Sequence, residues 1–422
     1  MRVLFLTASA KTHLYGMVPL AWALRAAGHD VRVAAATDPS ALTADDAART
    51  GLPFVAVGQP VDLGAMARAG AAAGGPRPSS EVGANATQTD YVDRYLNGDP
   101  TGELELSATA FRFFCPPEAT DDLSDLAVEW GADLIVWDYM MMFGGPAAAR
   151  RSGAAHARFV YGVDAPVQLR VAWKGDGPDP LEAALTAASG HTFSEEMVLG
   201  QWAINNMPPW TWRPDGAEYV DVRPLPFNGP AVVPDWLRHA PDRPRVCLTL
   251  GLSTRDVASV GISFDDLFDA VSGLDMEVVA TVAGDTADRP AVPDNVRLVE
   301  FVPMNALLPT CAAVLHHGGS QTVAAALEYG VPQLVLPSNF GNQRWWGPVA
   351  QAEALDKRGA GIHLGDADHL TPEGLRSHLV RIVGDPSFRA GAAVLRDELA
   401  VMPTPADAVP MLELLTERQR GG

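Results

Sequence analysis

Two adjacent histidines run into two glycines and two hydroxyls at His316-His317-Gly318-Gly319-Ser320-Gln321-Thr322. Glycine lets a backbone approach a ligand closely, and the first amides of a following helix attract an anion. An imidazole and hydroxyls beside them can donate to phosphate oxygens. The same residues also suit an ordinary turn. The segment has no Walker lysine and is not GxGxxG, which disfavours ATPase and nicotinamide chemistry. His13 is a second candidate, because an imidazole titrates near neutral pH and can act as a general base. It can equally be an exposed loop residue or a helix cap. Asp138 is the third. A strand-end carboxylate often only shapes a turn, but near a loop histidine it can orient the ring and stabilise the imidazolium. Gly251-Leu252-Ser253-Thr254 reads as a second phosphate loop, and Phe301-Val302-Pro303 as an edge for a base; either also fits plain turn chemistry.

These residues need strands that end at one place. Residues 2–7 (Arg-Val-Leu-Phe-Leu-Thr) read as a buried parallel strand, followed by a loop from Ala8 to Gly16 that carries His13. The stripe Val18, Leu20, Ala21, Leu24 and Ala27 has helical spacing, and Gly28 closes that helix. Val31–Ala35 is the next strand, which makes a βαβ start. Asp138 follows the strand Asp133-Leu134-Ile135-Val136-Trp137. The same grammar returns at Arg245-Val246-Cys247-Leu248-Thr249-Leu250, with further strands expected at Glu277–Val282, Val296–Phe301, Ala312–His316 and Gln333–Leu336. In such open sheets ligands bind beyond the carboxyl ends of the strands. Residues 60–115 read as a long insertion of irregular chain and short helices. Pro208–Pro244 is proline-rich and reads as an extended linker.

The chain has 422 residues, which suggests two or three domains. With 31 Lys+Arg against 51 Asp+Glu its formal net charge is −20. That disfavours nucleic acid, whose binding needs cationic neutralisation of phosphates, and anionic membrane surfaces. No run approaches the ~20 apolar residues of a membrane span. The apolar stretch Val3–Leu6 is too short for a signal peptide's ~7–15-residue apolar core. Cys115, Cys247 and Cys311 are far apart, with no CxxC pair, so neither a disulfide framework nor a zinc ribbon is expected, and a cytoplasmic setting is.

His316-His317-Gly318-Gly319, followed by Ala326-Leu327-Glu328-Tyr329-Gly330-Val331-Pro332-Gln333, resembles the donor signature of bacterial antibiotic glycosyltransferases of the GT-B fold. The run from Lys11 to His29 is similar to their acceptor-side start. Gly200-Gln201-Trp202, Tyr219-Val220-Asp221, Asn228-Gly229-Pro230 and Leu307-Leu308-Pro309-Thr310-Cys311 tighten the likeness to the macrolide and polyketide deoxysugar transferases, the erythromycin desosaminyltransferase among them. The resemblance implies two doubly wound α/β Rossmann-like domains facing across a cleft: residues 1–223 for the acceptor, a linker at 224–244, residues 245–402 for the nucleotide-sugar, and a last helix in 403–422 crossing back. It implies transfer of a deoxysugar, often an amino sugar, from a dTDP-sugar to a polyketide or related aglycone. Transfer inverts the anomeric centre and needs neither metal nor cofactor. By position, His13 is then the general base and Asp138 its partner. His317 and Thr322, with the amides after Gly318 and Gly319, form the diphosphate site, with Ser253 assisting; His316, Ser320, Gln321, Asn342 and Gln343 also belong to the donor site, and the backbone of Val302 pairs with thymine.

Departures from the family pattern carry expectations of their own. Gln321 stands where the family usually has Gly, and Asn342-Gln343 where it usually has Asp-Gln. That pair normally meets the sugar hydroxyls, so a neutral Asn342 implies an altered donor. For the aglycone, composition points to Met140, Met142 and Phe143, whose soft side chains adapt to irregular apolar ligands, and to Trp173 and Trp345 as flat contacts. Some members require a P450-like auxiliary protein, and a homodimer is also open. Two other readings share the fold: a sugar-nucleotide 2-epimerase, and a non-catalytic partner of another transferase.

Overall fold

The computed structural model describes residues 1–65, 100–211, 213, 215, 217–249, 263–281, 292–337, 347–365 and 369–420. The chain divides into two compact units. One comprises Met1–Leu63 and the described parts of Val92–Phe227 and Met402–Gly422; the other comprises the described parts of Gly64–Tyr91 and Asn228–Val401.

The first unit is built on seven strands: β1 (Arg2–Leu6), β2 (Asp30–Ala35), β3 (Phe54–Ala56), β4 (Leu134–Asp138), β5 (Ala155–Val160), β6 (Trp202–Asn205) and β7 (Tyr219–Asp221). Every pairing is parallel, in the order β3-β2-β1-β4-β5-β6-β7. The chain therefore winds outward from β1 to β3, then returns to β4 on the other side of β1. That reversal is the topological switch point, where the strand ends splay and leave a crevice. β4 and β5 are buried along their whole length, as expected of strands covered on both faces.

Three expectations change here. His13 is not in a loop: a helix already runs from Lys11 to Ala26, so His13 sits in its first turn. Ala10, the residue before it, offers no side-chain cap, so the start carries no sequence signal. At the other end Gly28 does close the helix, with φ 93°. The Pro208–Pro244 stretch is not all linker, because β7 lies within it and pairs with β6 as the edge of the sheet. In the 60–115 segment, residues 66–99 lie outside the described ones, and Pro100–Phe114 is one 15-residue helix rather than several short ones. The last helix, Pro405–Arg420, belongs to this first unit. Arg223 donates its amide to Pro403 O at 2.7 Å, and Arg418 pairs with Glu218 at 2.5 Å.

The second unit repeats the plan with β8 (Arg245–Thr249), β9 (Glu277–Thr281), β10 (Val296–Val299), β11 (Cys311–His316), β12 (Gln333–Val335) and β13 (Gly361–His363). The order is β10-β9-β8-β11-β12-β13, again all parallel. Alternate side chains feed two cores. Val246 and Leu248 join Leu315 and Leu375 on one side, while Cys247 joins Val314, Leu307 and Val302 on the other. Its switch point lies between β8 and β11. The three cysteines are free and buried, and burial pushes the thiols of Cys115 and Cys311 up to about 11 and about 12. They are inert packing groups.

Candidate active site and donor turn

At the first switch point, β4 ends on Asp138 and β1 hands the chain to the helix bearing His13. Asp138 is fully buried. Its Oδ1 accepts from the Met140 amide at 2.9 Å, which caps the tight turn Tyr139–Met141. Its Oδ2 accepts from His13 Nδ1 at 2.7 Å. A carboxylate that already takes one backbone amide is held in place, so the imidazole is oriented rather than merely near. With Nδ1–H pointed at the carboxylate, Nε2 is the unprotonated nitrogen, as a base–orienter pair requires.

Sequence reasoning missed the third member. Tyr161 follows β5 directly, and its hydroxyl donates to the same Asp138 Oδ2 at 3.1 Å while also touching His13 Nδ1. Its ring meets the imidazole edge-on, with centroids 5.2 Å apart, and the Tyr139 ring lies next to both, 6.4 Å from the imidazole. Burial, then the charge of Asp138, hold both phenols well above their usual value, so both keep their protons. Behind them Arg158 and Asp164 form a buried two-pronged ion pair, at 2.5 and 2.8 Å. The Arg158 guanidinium lies 6.0 Å from the Trp137 and Tyr139 rings. An arginine in the middle of a buried strand, six residues before an aspartate, was the available signal for that pair.

The second candidate site is the turn leaving β11. His316 ends the strand and is fully buried. Its Nε2 meets Gln333 Oε1 at 2.9 Å and its Nδ1 accepts from the Gly318 amide at 3.0 Å. This corrects its expected role: His316 braces the turn from within and has no free edge for a ligand. His317 comes next, buried, and its Nδ1 has no hydrogen-bond partner among the described residues. Burial pushes its pKa down to about 4, so in the free protein it is a neutral donor rather than a cation. Gly318 is required: it adopts φ 92°, and a Cβ there would lie 2.7 Å from Pro348 Cβ; at Gly319, with φ −62°, a Cβ would lie 2.7 Å from His317 Nε2 and would displace the imidazole. Gly319 caps the helix Ser320–Glu328 with no side-chain capping bond, which leaves the first amides as an anion site. Gln351, almost fully buried, braces the turn from the helix Pro348–Lys357. Its amide donates to Ser320 Oγ at 3.0 Å. Gln321 and Thr322 are half-buried in the first turn of their helix.

Val302 has its side chain in the core, so only its backbone can meet a ligand; neighbouring Phe301 is 47 % exposed. For the aglycone, the expectation fails at two residues. Met142 is 0 % exposed and Phe143 6 %, so both are core. With Arg112, Arg150 and His156 they line a cavity of about 750 Å³ that none of His13, Asp138 or Tyr161 reaches. Met140 remains half-exposed beside Asp138. The Trp173 indole donates to Thr101 Oγ1 at 3.3 Å and its ring covers Gly175. Ser253, Asn342, Gln343 and Trp345 lie outside the described residues.

Two family models match the chain: "Erythromycin biosynthesis protein CIII-like, N-terminal domain" over residues 22–251, and the corresponding C-terminal domain over residues 265–415. The chain belongs to the erythromycin biosynthesis protein CIII-like family. It is 41 % identical to the aclacinomycin-T 2-deoxy-L-fucose transferase of Streptomyces galilaeus, covering 100 % of this chain and 97 % of the relative. It is 38 % identical to the 3-alpha-mycarosylerythronolide B desosaminyl transferase of Saccharopolyspora erythraea, covering 100 % and 99 %. Among solved structures, glycosyltransferase VinC in complex with dTDP superposes with a TM-score of 0.82 at 35 % identity, covering 99 % of this chain and 100 % of that one. This CIII-like chain is thus a glycosyltransferase of the GT-B class, with two Rossmann-like units. Among the described residues, no helix of this CIII-like protein is long and apolar enough to cross a membrane, and no cluster of three or more His, Cys, Asp or Glu side chains could hold a metal ion.

Proposed function

We propose that the chain transfers a deoxysugar from a dTDP-sugar to a hydroxyl of a polyketide aglycone, in one inverting displacement with His13 as general base. The observation that carries this reading is the 2.7 Å contact from His13 Nδ1 to the buried Asp138, set at the switch point of the first sheet. His13 Nε2 takes the acceptor proton as the acceptor oxygen bonds to the anomeric carbon. The bond from that carbon to the β-phosphate oxygen breaks, and the electron pair leaves with dTDP. Attack from the face opposite the leaving group inverts the centre. Asp138 stabilises the imidazolium as it forms.

The leaving diphosphate gains charge, and charge that develops in the transition state is where fixed donors act most strongly. The open amides before and within the first turn of Ser320–Glu328, with the unpartnered His317, supply such donors. The backbone after β10 suits the base. Three strand steps separate β10 from β11, roughly 14 Å at the usual strand spacing, a span of nucleotide size rather than phosphate size. The relatives named above act with deoxysugars, and VinC binds dTDP; both support this choice of donor. The test is a panel of macrolide and anthracycline aglycones incubated with dTDP-deoxysugars. A glycoside with inverted anomeric configuration is expected, and donor alone should yield no epimer. An epimerised donor without aglycone would point to an isomerase instead.

A further inference from the structure

Tyr161 has no part in the transfer as written above, yet its hydroxyl lies inside the His13–Asp138 contact. We propose that Tyr161 is a positioning residue for the general base: its hydroxyl donates to Asp138 Oδ2 and lies against His13 Nδ1, locking the ring tautomer and moderating the pull of the carboxylate on the imidazolium. The inference rests on the assignment of His13 as base.

The hydrogen-bond inventory supports it. A phenol has one proton and two acceptor lone pairs. Its proton goes to Asp138 Oδ2, 3.1 Å away, so its oxygen is free to share the Nδ1–H of His13. The phenol cannot ionise at working pH, since burial and Asp138 raise it well above its usual value; it is therefore a permanent donor. Each donor on the carboxylate spreads its charge. Oδ1 already takes the Met140 amide at 2.9 Å, and Oδ2 has Ala8 N at 3.4 Å besides Tyr161. A carboxylate with fewer donors would bind the imidazolium more tightly and make His13 a stronger but more often protonated base.

Other charged and titratable neighbours do not replace this role. Tyr139 stacks on the imidazole, and Arg158 and Asp164 behind it neutralise each other. On the helix of His13 itself, Lys11 is drawn to Asp46 at 3.7 Å and Tyr15 packs on Phe227. The Tyr161 ring is held independently, edge-on to Tyr139 and against Phe159, with centroids 5.4 and 5.9 Å away. Removing only the hydroxyl should therefore leave the packing in place.

The experiment measures kcat/KM for the aglycone against pH in three proteins beside the wild type: Tyr161→Phe, the protein with 3,5-difluorotyrosine at position 161, and His13→Ala. In Tyr161→Phe the acid limb should move to higher pH by about half a unit to one unit. Near neutral pH kcat should fall about three- to tenfold, with donor KM and thermal midpoint unchanged. Difluorotyrosine is a stronger donor, so its acid limb should move the opposite way. If His13→Ala abolishes the limb while both Tyr161 proteins keep it at the wild-type pH, this inference fails and the base assignment stands. A uniform rate loss in Tyr161→Phe, with a lower thermal midpoint and no movement of the limb, also overturns it by making the hydroxyl merely structural. If His13→Ala retains the limb, the base assignment fails and this inference with it.

Discussion

The two switch points share one topology and differ in what they are made of. In the first unit, the crevice between β1 and β4 is dressed with side chains that satisfy one another: His13 on Asp138, Tyr161 on both, Arg158 on Asp164. In the second, the crevice beside β11 is made of backbone, with an obligatory Gly318, an uncapped helix start and a histidine nitrogen left open. A proton is moved by a group whose charge state is poised, and poise requires a closed network of partners. An anion is held by donors whose charge never changes, and such donors must be left without partners until the ligand arrives. On the function proposed above, the difference in polar satisfaction separates the place of proton transfer from the place of anion binding.

That contrast can be broken most sharply at His13. His13→Ala should lower kcat by about 10²–10⁴ with the dissociation constant for dTDP nearly unchanged, measured by turnover and calorimetry. An equal loss of dTDP affinity would erase the division. On the other side, His317→Ala should weaken dTDP binding by about ten- to a hundredfold, the value of one hydrogen bond to a charged group, in the same calorimeter. Unchanged affinity there would remove His317 from the anion site.

A third outcome concerns pH. Burial depresses His156 to about 4, His316 to about 3 and His317 to about 4, all below the ordinary 6.5. As the pH falls below about 6.5 the unfolded chain takes up protons that the folded one refuses. Their contribution is thus fully present above that pH and is lost progressively toward pH 4. Urea melts from pH 7.5 to 4.5 should show falling stability, and His156→Gln should flatten the slope. The smallest effect is expected at Gln351. Gln351→Ala removes the brace on Ser320 without touching a ligand, and donor KM should rise only about three- to tenfold. No rise at all would mean that the turn holds itself.

Much of this was legible in the chain. Continuous apolar runs ending on a polar residue marked β1, β4 and β11, and the two glycines after His317 marked a turn that requires Gly318. Asp138 was readable as a candidate because a lone carboxylate closes an apolar strand. What stayed hidden has physical causes. The helix of His13 begins after Ala10, which has no capping group to announce it. β7 is three residues long and flanked by prolines, which an edge strand tolerates and a central strand does not. His316 looked like a ligand because its partner, Gln333, is 17 residues away on the next strand. Tyr161 reads as core in any periodicity, and only the fold brings its hydroxyl to Asp138. Met142 and Phe143 show the reverse, since adaptable side chains near a site still go wherever burial takes them.

The last helix, Pro405–Arg420, returns to the first unit, and this makes the chain's order of synthesis matter. The main segment of the second unit is an insertion, entered after Phe227 and left before Met402. On the ribosome it is complete while its host still lacks the segment that ties Arg418 to Glu218. The Arg418–Glu218 tie forms only after that inserted segment has been made. If the second unit holds the donor as proposed, the same arrangement defines a modular cassette: an exchange of donor specificity between relatives would carry residues 228–401 and leave the terminal helix with the first unit.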